Sequence, residues 1–296
     1  TSTPVNWQIG LEKILVDDLA FSFSTYTDSS LISSHLSKAI LTDGLFDLKE
    51  ELYVINRLSL NNSSLNYSTD TETPKEGFDP AHVELTDVSF SFDSIQYKEK
   101  EINATIGSFR LKERSGLEVV SLSGSVRADT SLIAIPEILL KTPYSEARLL
   151  ATIPWNSLDE QPKGKFRGLF SAFIGKEDVL IFSGIPASSS FTAAYPNRDL
   201  TLTVGVEGNL SSLNIQQAKA ELDSAFVLTA SGKLKNVTDS LYRSGELNLH
   251  AVTGKLDFLL DLFDTETKQL LNLPVGMTLE GNASLKNREY KTDFLF

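Results

Sequence analysis

A short arrangement of apolar and polar positions is written three times near the start of the chain. It reads KILVDDLAFSFST at 13–25, RLSLNNSSLNYST at 57–69 and HVELTDVSFSFDS at 82–94. Each copy has two alternating apolar positions, a polar pair, and a second alternating run whose apolar positions have changed parity. In the first copy Ile14 and Val16 precede Asp17-Asp18, and Leu19, Phe21 and Phe23 follow. Strand side chains alternate faces with period two, so a parity change inside a strand predicts a bulge, bend or tight turn at the polar pair. Repetition of one strand module predicts a fold that grows by adding copies.

Alternating runs continue along the chain. Strands are expected at 101–106 and 108–112 around Gly107, at 117–122 after a turn ending in Gly116, and at 124–128. Further strands are expected at 132–135, 138–142, 147–153 and 168–174. The polar stretch 155–165 reads as a joint or long loop, which divides the chain into two β segments, 1–154 and 155–296. Residues 178–184 fit a strand or a helical turn. The second half has its own echo, with Glu207-Gly208-Asn209 and Glu280-Gly281-Asn282 each expected to sit between a strand and a hairpin. The second of these runs into Phe296, which reads as an array cut at its C-terminal end. Two helices are expected: a short one over Ser33–Ile40, with Leu36 and Ile40 on one side, and Leu256–Leu271, closed by Pro274 and interrupted at Asp264-Thr265.

Composition narrows the functional classes. The chain has 296 residues, 41% hydrophobic, without any run of about 20 apolar residues of the kind that spans a bilayer. No charged and apolar leader opens it, and the start reads as an excised fragment. The net charge of −12 argues against nucleic acid as a partner. The absence of cysteine excludes disulfides, thiolate metal sites and a cysteine nucleophile. His35, His82 and His250 have no metal-ligand spacing and read as surface or strand-edge residues. Adjacent residues of a strand point to opposite faces, so Asp17-Asp18 and Glu50-Glu51 build no shared acid–base site, and they read as solvated turns. Gly205-Val206-Glu207-Gly208 lacks the lysine and helix of a phosphate loop. No catalytic, metal or cofactor site is expected, and the chain does not read as an enzyme.

The apolar positions of the three copies remain. Ile14, Val16, Phe21, Phe23, Leu58, Leu60, Leu65, Tyr67, Val83, Leu85, Phe90 and Phe92 are the candidate interior-facing residues. Two readings stand side by side. One is an ordinary sandwich core, which fits an all-β periplasmic or surface module with a closed interior that recognises a protein or glycan. The other is a sheet curled into a trough whose apolar floor holds acyl chains, at about 0.8 kcal/mol per buried CH₂.

The chain resembles the TamB/AsmA-like proteins of Gram-negative envelopes, in particular the TamB-type proteins of Bacteroidetes. The landmarks are Trp7-Gln8-Ile9 leading to 14–23, Phe78-Asp79-Pro80-Ala81-His82 before 83–88, and Phe109 to Leu117. Leu122-Ser123-Gly124-Ser125-Val126, Leu140 to Ser145 and the two Glu-Gly-Asn units follow. The resemblance implies an all-β, elongated, repetitive antiparallel sheet curled into a groove (a β-taco or half-barrel), with one or two short helices. It implies a periplasmic, inner-membrane-anchored scaffold that is not catalytic. Such a scaffold conducts phospholipid between membranes, assists outer-membrane protein assembly, or both. The implied partners are phospholipid acyl chains and, through regions outside this chain, an outer-membrane barrel protein of TamA/BamA type or a lipoprotein.

Overall fold

The computed structural model describes residues 7–25, 30–69, 73–75, 77–159, 161–185, 188–239, 241–263, 265–270, 275–286 and 289–295. The chain forms two compact units, Thr1–Pro143 with Ile181–Gly184 (unit 1) and Tyr144–Leu180 with Ile185–Phe296 (unit 2). The fold is all-β, antiparallel and open, and within each unit each main strand lies beside its sequence neighbour.

Unit 1 contains β1 (Gln8–Ser24), β2 (Ser30–Asp47), β3 (Leu52–Thr69), β4 (His82–Lys98) and β5 (Glu101–Glu113). The short β6 (Glu118–Val119), then β7 (Ser121–Ala128) and β8 (Leu132–Lys141), complete it. Its sheet order is β1-β2-β3-β4-β5-β7-β8, with β6 paired to β5. The three copies of the module fall on β1, β3 and β4. Their second polar residues, Asp18, Asn62 and Asp87, have φ of 56°, 48° and 52°. Asparagine and aspartate tolerate this left-handed conformation better than other side chains of their size. The parity change is thus a bulge-like jog inside a continuous strand, and the β3–β4 register shifts there, between Leu60 and Leu65.

Several local expectations are corrected. Ser33–Ile40 is not a helix but the middle of β2. Leu36 and Ile40 have the four-residue separation of a helix face. In β2 a jog falls between them, and they pair with Leu19 and Leu15 of β1. Hydrogen bonding to strands on both sides outweighs the weak propensity of so short a segment. Gly107 does not separate two strands; β5 runs through it, and the absent Cβ leaves room for the Asp93 carboxylate. Likewise Leu132–Lys141 is one strand, in which Pro136 sits beside a register shift of the β7–β8 ladder, where no N–H is required of it.

Unit 2 contains β9 (Glu146–Pro154), a 3₁₀ turn (Trp155–Ser157), β10 (Phe166–Ile174), the first five residues of α1 (Lys176–Ser183) and α2 (Ser190–Ala194). Then come β11 (Leu200–Gly208), β12 (Ser212–Leu222), β13 (Phe226–Lys235), β14 (Ser244–Thr253), α3 (Asp257–Leu260), α4 (Thr265–Leu270), β15 (Thr278–Lys286) and β16 (Glu289–Leu295). The segment 178–183 is therefore helical, and Gly184 is a turn residue. The helix expected over Leu256–Leu271 is two short ones, with Asp264, Leu271 and Pro274 outside the described residues. Four short helices lie among the described residues, where one or two were expected. Glu207-Gly208-Asn209 does enter a hairpin: the Asn209 side chain accepts hydrogen bonds from the Ser211 and Ser212 N–H groups, at 3.1 and 2.9 Å. Glu280-Gly281-Asn282 instead lies inside β15, so the two units of the echo are not structurally equivalent.

Unit 2 has a packed core at one end of its sheet. Phe191 of α2, Tyr195, Leu222, Ala225, Leu256 and Phe258 of α3 are buried together. The Phe258 ring lies 5.9 Å from Phe191 and 5.3 Å from Tyr195 between centroids. Val179, Leu180, Leu200 and Phe226 pack around this cluster. Short helices thus cover the sheet end formed by the row Leu200, Leu222 and Phe226.

Candidate functional site

Cross-strand partners lie on the same face of a sheet. Following the ladders across β1 to β4 gathers the twelve candidate residues into four rows of three. Ile14, Leu58 and Phe92 form one, with Leu41 of β2 between them. Val16, Leu60 and Phe90 form the next, with Ala39. Beyond the jog, Phe21, Leu65 and Leu85 align with Ser34, and Phe23, Tyr67 and Val83 with Ile32. Because β4 runs against β3, its copy of the module is reversed in the sheet. Phe90 and Phe92, equivalent in sequence to Phe21 and Phe23, stand instead beside Val16 and Ile14.

A second jog extends this face. Asp43 of β2 has φ of 54°. Beyond it lie the rows Leu11, Gly44, Ile55, Ile95 and Ile9, Phe46, Tyr53, Tyr97. A Cβ built on Gly44 would lie 3.2 Å from Phe46 Cε2, 3.3 Å from Leu11 Cβ and 3.4 Å from Leu41 Cδ2, so side chains from both sides of this jog share one face. Phe46, Tyr53 and Tyr97 form a ladder of rings, 6.1 and 5.5 Å apart. The apolar positions that β1 gives to this face are thus Ile9, Leu11, Ile14, Val16, Leu19, Phe21 and Phe23, spaced two-three-two-three-two-two, with Leu15 alternating to the other side. The intervening positions across β1 to β4 are mostly serine, asparagine, threonine and charged residues.

The jogs are held by serine hydroxyls. The buried Ser63 Oγ accepts from Ser37 N–H at 3.2 Å, and the buried Ser89 Oγ accepts from Asn62 N–H at 2.9 Å. Both N–H groups meet a ladder that is locally interrupted, and the hydroxyls take the place of the lost carbonyl partners.

Most of this face is not buried. Of the twelve candidates only Leu60 is buried, while Ile14, Phe21 and Phe23 are 43, 48 and 59% exposed. The rest are half-buried. The total accessible surface is 18705 Å². Two separate compact globules, each of half this mass, would together expose only about 15,000 Å².

Unit 2 has a comparable face, to which no site was assigned from sequence. Its rows include Phe170, Val204, Ala218, Ala230, Leu249 and Ala172, Leu202, Ala220, Leu228, Ala251. Strict alternation over β10, β11, β13 and β14 signals it. In unit 1 the β2 members Ile32, Ala39 and Leu41 belong to the face as well; Ala39 lies within the segment read as a helix, and Ile32 and Leu41 flank it. The module's spacing, read backwards from Phe46 to Ile32, is the signal that finds them.

Each histidine has a carboxylate partner, which the sequence did not reveal. His35 contacts Asp18 at 2.7 Å and His250 contacts Glu280 at 3.1 Å, both exposed. His82 Nδ1 lies 2.9 Å from Asp79 Oδ2, and its Nε2 is 3.1 Å from the Thr69 carbonyl. The Asp79 carboxyl is lowered to about 2, first by the hydrogen bond from Lys75 N–H, opposed by burial and aided by His82 and Ala81. These contacts tie the β3–β4 connection to its own strand ends; each imidazole is taken up by a structural partner. Among the described residues no group of three metal-ligating side chains occurs, and no helix is long and apolar enough to cross a membrane. No family model, curated protein or solved structure matches the chain.

Proposed function

We propose that this chain is a non-catalytic segment of a scaffold that carries phospholipid acyl chains along an apolar sheet face. The observation that carries the reading is the set of four cross-strand rows, continuous across β1 to β4 and largely unburied. Apolar patches of this extent on a folded protein serve as contact surfaces for other apolar matter. Acyl chains laid along the rows would leave water at about 0.8 kcal/mol per CH₂, while headgroups stay solvated at the strand ends. The resemblance to TamB/AsmA-like proteins supports the same reading and adds its setting. The scaffold would be periplasmic and anchored in the inner membrane through other regions. It would deliver lipid toward the outer membrane or assist a barrel protein of TamA/BamA type. A closed-core binding module fits less well, since only eight apolar residues are buried among those described.

The test is native mass spectrometry of the chain isolated from a periplasm, followed by lipid extraction. Phospholipid at reproducible stoichiometry is expected, and a Phe21→Asp/Phe90→Asp double variant that still folds should lose it. A chain that stays lipid-free when offered phospholipid vesicles, or a folded double variant with unchanged occupancy, would overturn the proposal.

A further inference from the structure

We infer that the free edge of β1 docks a second copy of this chain, in an antiparallel pair centred on Leu15. Among the described residues β1 pairs with β2 alone, and no described strand lies along its other backbone edge over Gln8–Ser24. That edge is 17 residues long. A long edge with exposed apolar side chains is a template for another strand.

The spacing of β1 fixes which strand fits. From Ile9 to Phe21 the apolar positions Ile9, Leu11, Ile14, Val16, Leu19 and Phe21 are spaced two-three-two-three-two, the same in both directions about the central Leu15. Placing Leu15 opposite Leu15 of the second copy sets Ile14 against Val16, Leu11 against Leu19 and Ile9 against Phe21. Lys13 then faces Asp17 on each side of the two-fold axis. A one-residue slip throws the apolar sets onto opposite faces. A two-residue slip sets Leu19 against Lys13 or Leu11 against Asp17. One pairing is adverse, Glu12 against Asp18; it is exposed, and Asp18 already contacts His35 at 2.7 Å. The β1–β2 ladder shows that strands of this spacing mate, since Ile14 and Val16 there face Leu41 and Ala39. A two-fold axis normal to the sheet keeps both apolar faces on one side, so the pair doubles the width of the face. The contact is isologous and closes at two copies.

The chain has no cysteine, so single cysteines report this register cleanly. Directly opposed residues of an antiparallel pair have Cα atoms about 4.5–5.5 Å apart, within disulfide range. Leu15→Cys should therefore form a disulfide-linked dimer under mild oxidation. Gly10→Cys alone should not, because its two copies would stand roughly 33 Å apart. Gly10→Cys mixed with Ala20→Cys should cross-link. Light scattering should find the unaltered chain dimeric at tens of micromolar and Leu15→Arg monomeric, with its circular dichroism unchanged. A monomeric unaltered chain, a Leu15→Arg variant that stays dimeric, or cross-linking at Gly10 alone as efficient as at Leu15 would each overturn the inference. Should Leu15→Arg fail to fold, the cysteine pattern decides. None of these readouts requires bound lipid.

Discussion

In unit 1, β1 to β4 run 17 or 18 residues and change parity at left-handed residues; in unit 2, β10 to β15 run 9 to 11 and alternate strictly apart from one register break in β12. Both build a sheet with one apolar and one polar face. A long regular strand accumulates twist, and a bulge bends it and resets which side chains point where. The long strands therefore need their jogs, and the sequence supplies Asp18, Asn62 and Asp87 for them. The short strands need none, but approach their neighbours closely. A Cβ on Gly208 or Gly232 would lie 2.2 or 2.1 Å from a carbonyl oxygen of the next strand, and both glycines have φ near 150°. The units also differ in cover. One end of the unit 2 face is packed under α1 to α3, whereas the rows of unit 1 are mostly open. Similar apolar stripes thus serve as a core in one place and as an accessible surface in the other.

The sharpest test of this contrast compares two phenylalanines. Phe258→Ala in the buried cluster should destabilise unit 2 by about 3–5 kcal/mol in denaturant titrations. Phe21→Ala on the exposed face should change stability by no more than about 0.5 kcal/mol while lowering lipid occupancy. Equal losses would dissolve the distinction between core and surface. Ser89→Ala should destabilise unit 1 by about 1–3 kcal/mol, because Asn62 N–H loses its partner at the jog. An unaffected variant would mean that water replaces the hydroxyl there. At the jog residue itself, Asn62→Ile should be about 1–2 kcal/mol less stable, and Asn62→Gly as stable as the parent or slightly more so. The reverse order would remove the left-handed jog from the account.

The last effect is confined to the β3–β4 connection. The Asp79 carboxyl lies at about 2 in the folded chain against an ordinary 3.8. A lowered carboxyl stabilises the fold above its unfolded value, and that contribution is lost as protons bind. Amide exchange near Thr69 and His82 should therefore quicken, relative to intrinsic rates, as pH falls from about 4 to about 2. Asp79→Asn should abolish that dependence. An unchanged pH profile in the variant would show that other carboxylates carry it.

The all-β class and the jogs were legible before the structure because each is local. Ile14, Val16, Phe21 and Phe23 display the parity change in ten residues, and Asp17-Asp18 marks the place. The β2 strand was missed for the converse reason. Leu36 and Ile40 satisfy a helical spacing over eight residues, and only the flanking ladders from β1 and β3 decide against it. The carboxylate partners of His35 and His250 were out of reach too, since the strands of each pair meet only once the register is set. Asp79 lies three residues from His82, yet the pairing with Thr69 depends on how the connection folds back.

The sequence by itself determined which side chains alternate, where alternation breaks, and, in having no cysteine, that no disulfide staples the chain. Those properties follow from side-chain chemistry and from the two-residue period of an extended backbone. Tertiary structure decided which rows the apolar residues join, that β4 presents its module reversed, and which apolar stripe is covered by helices and which is left open. These depend on antiparallel pairing between strands distant in sequence, and on whether a neighbouring element happens to pack over a face. Neither is encoded in the spacing of any one strand.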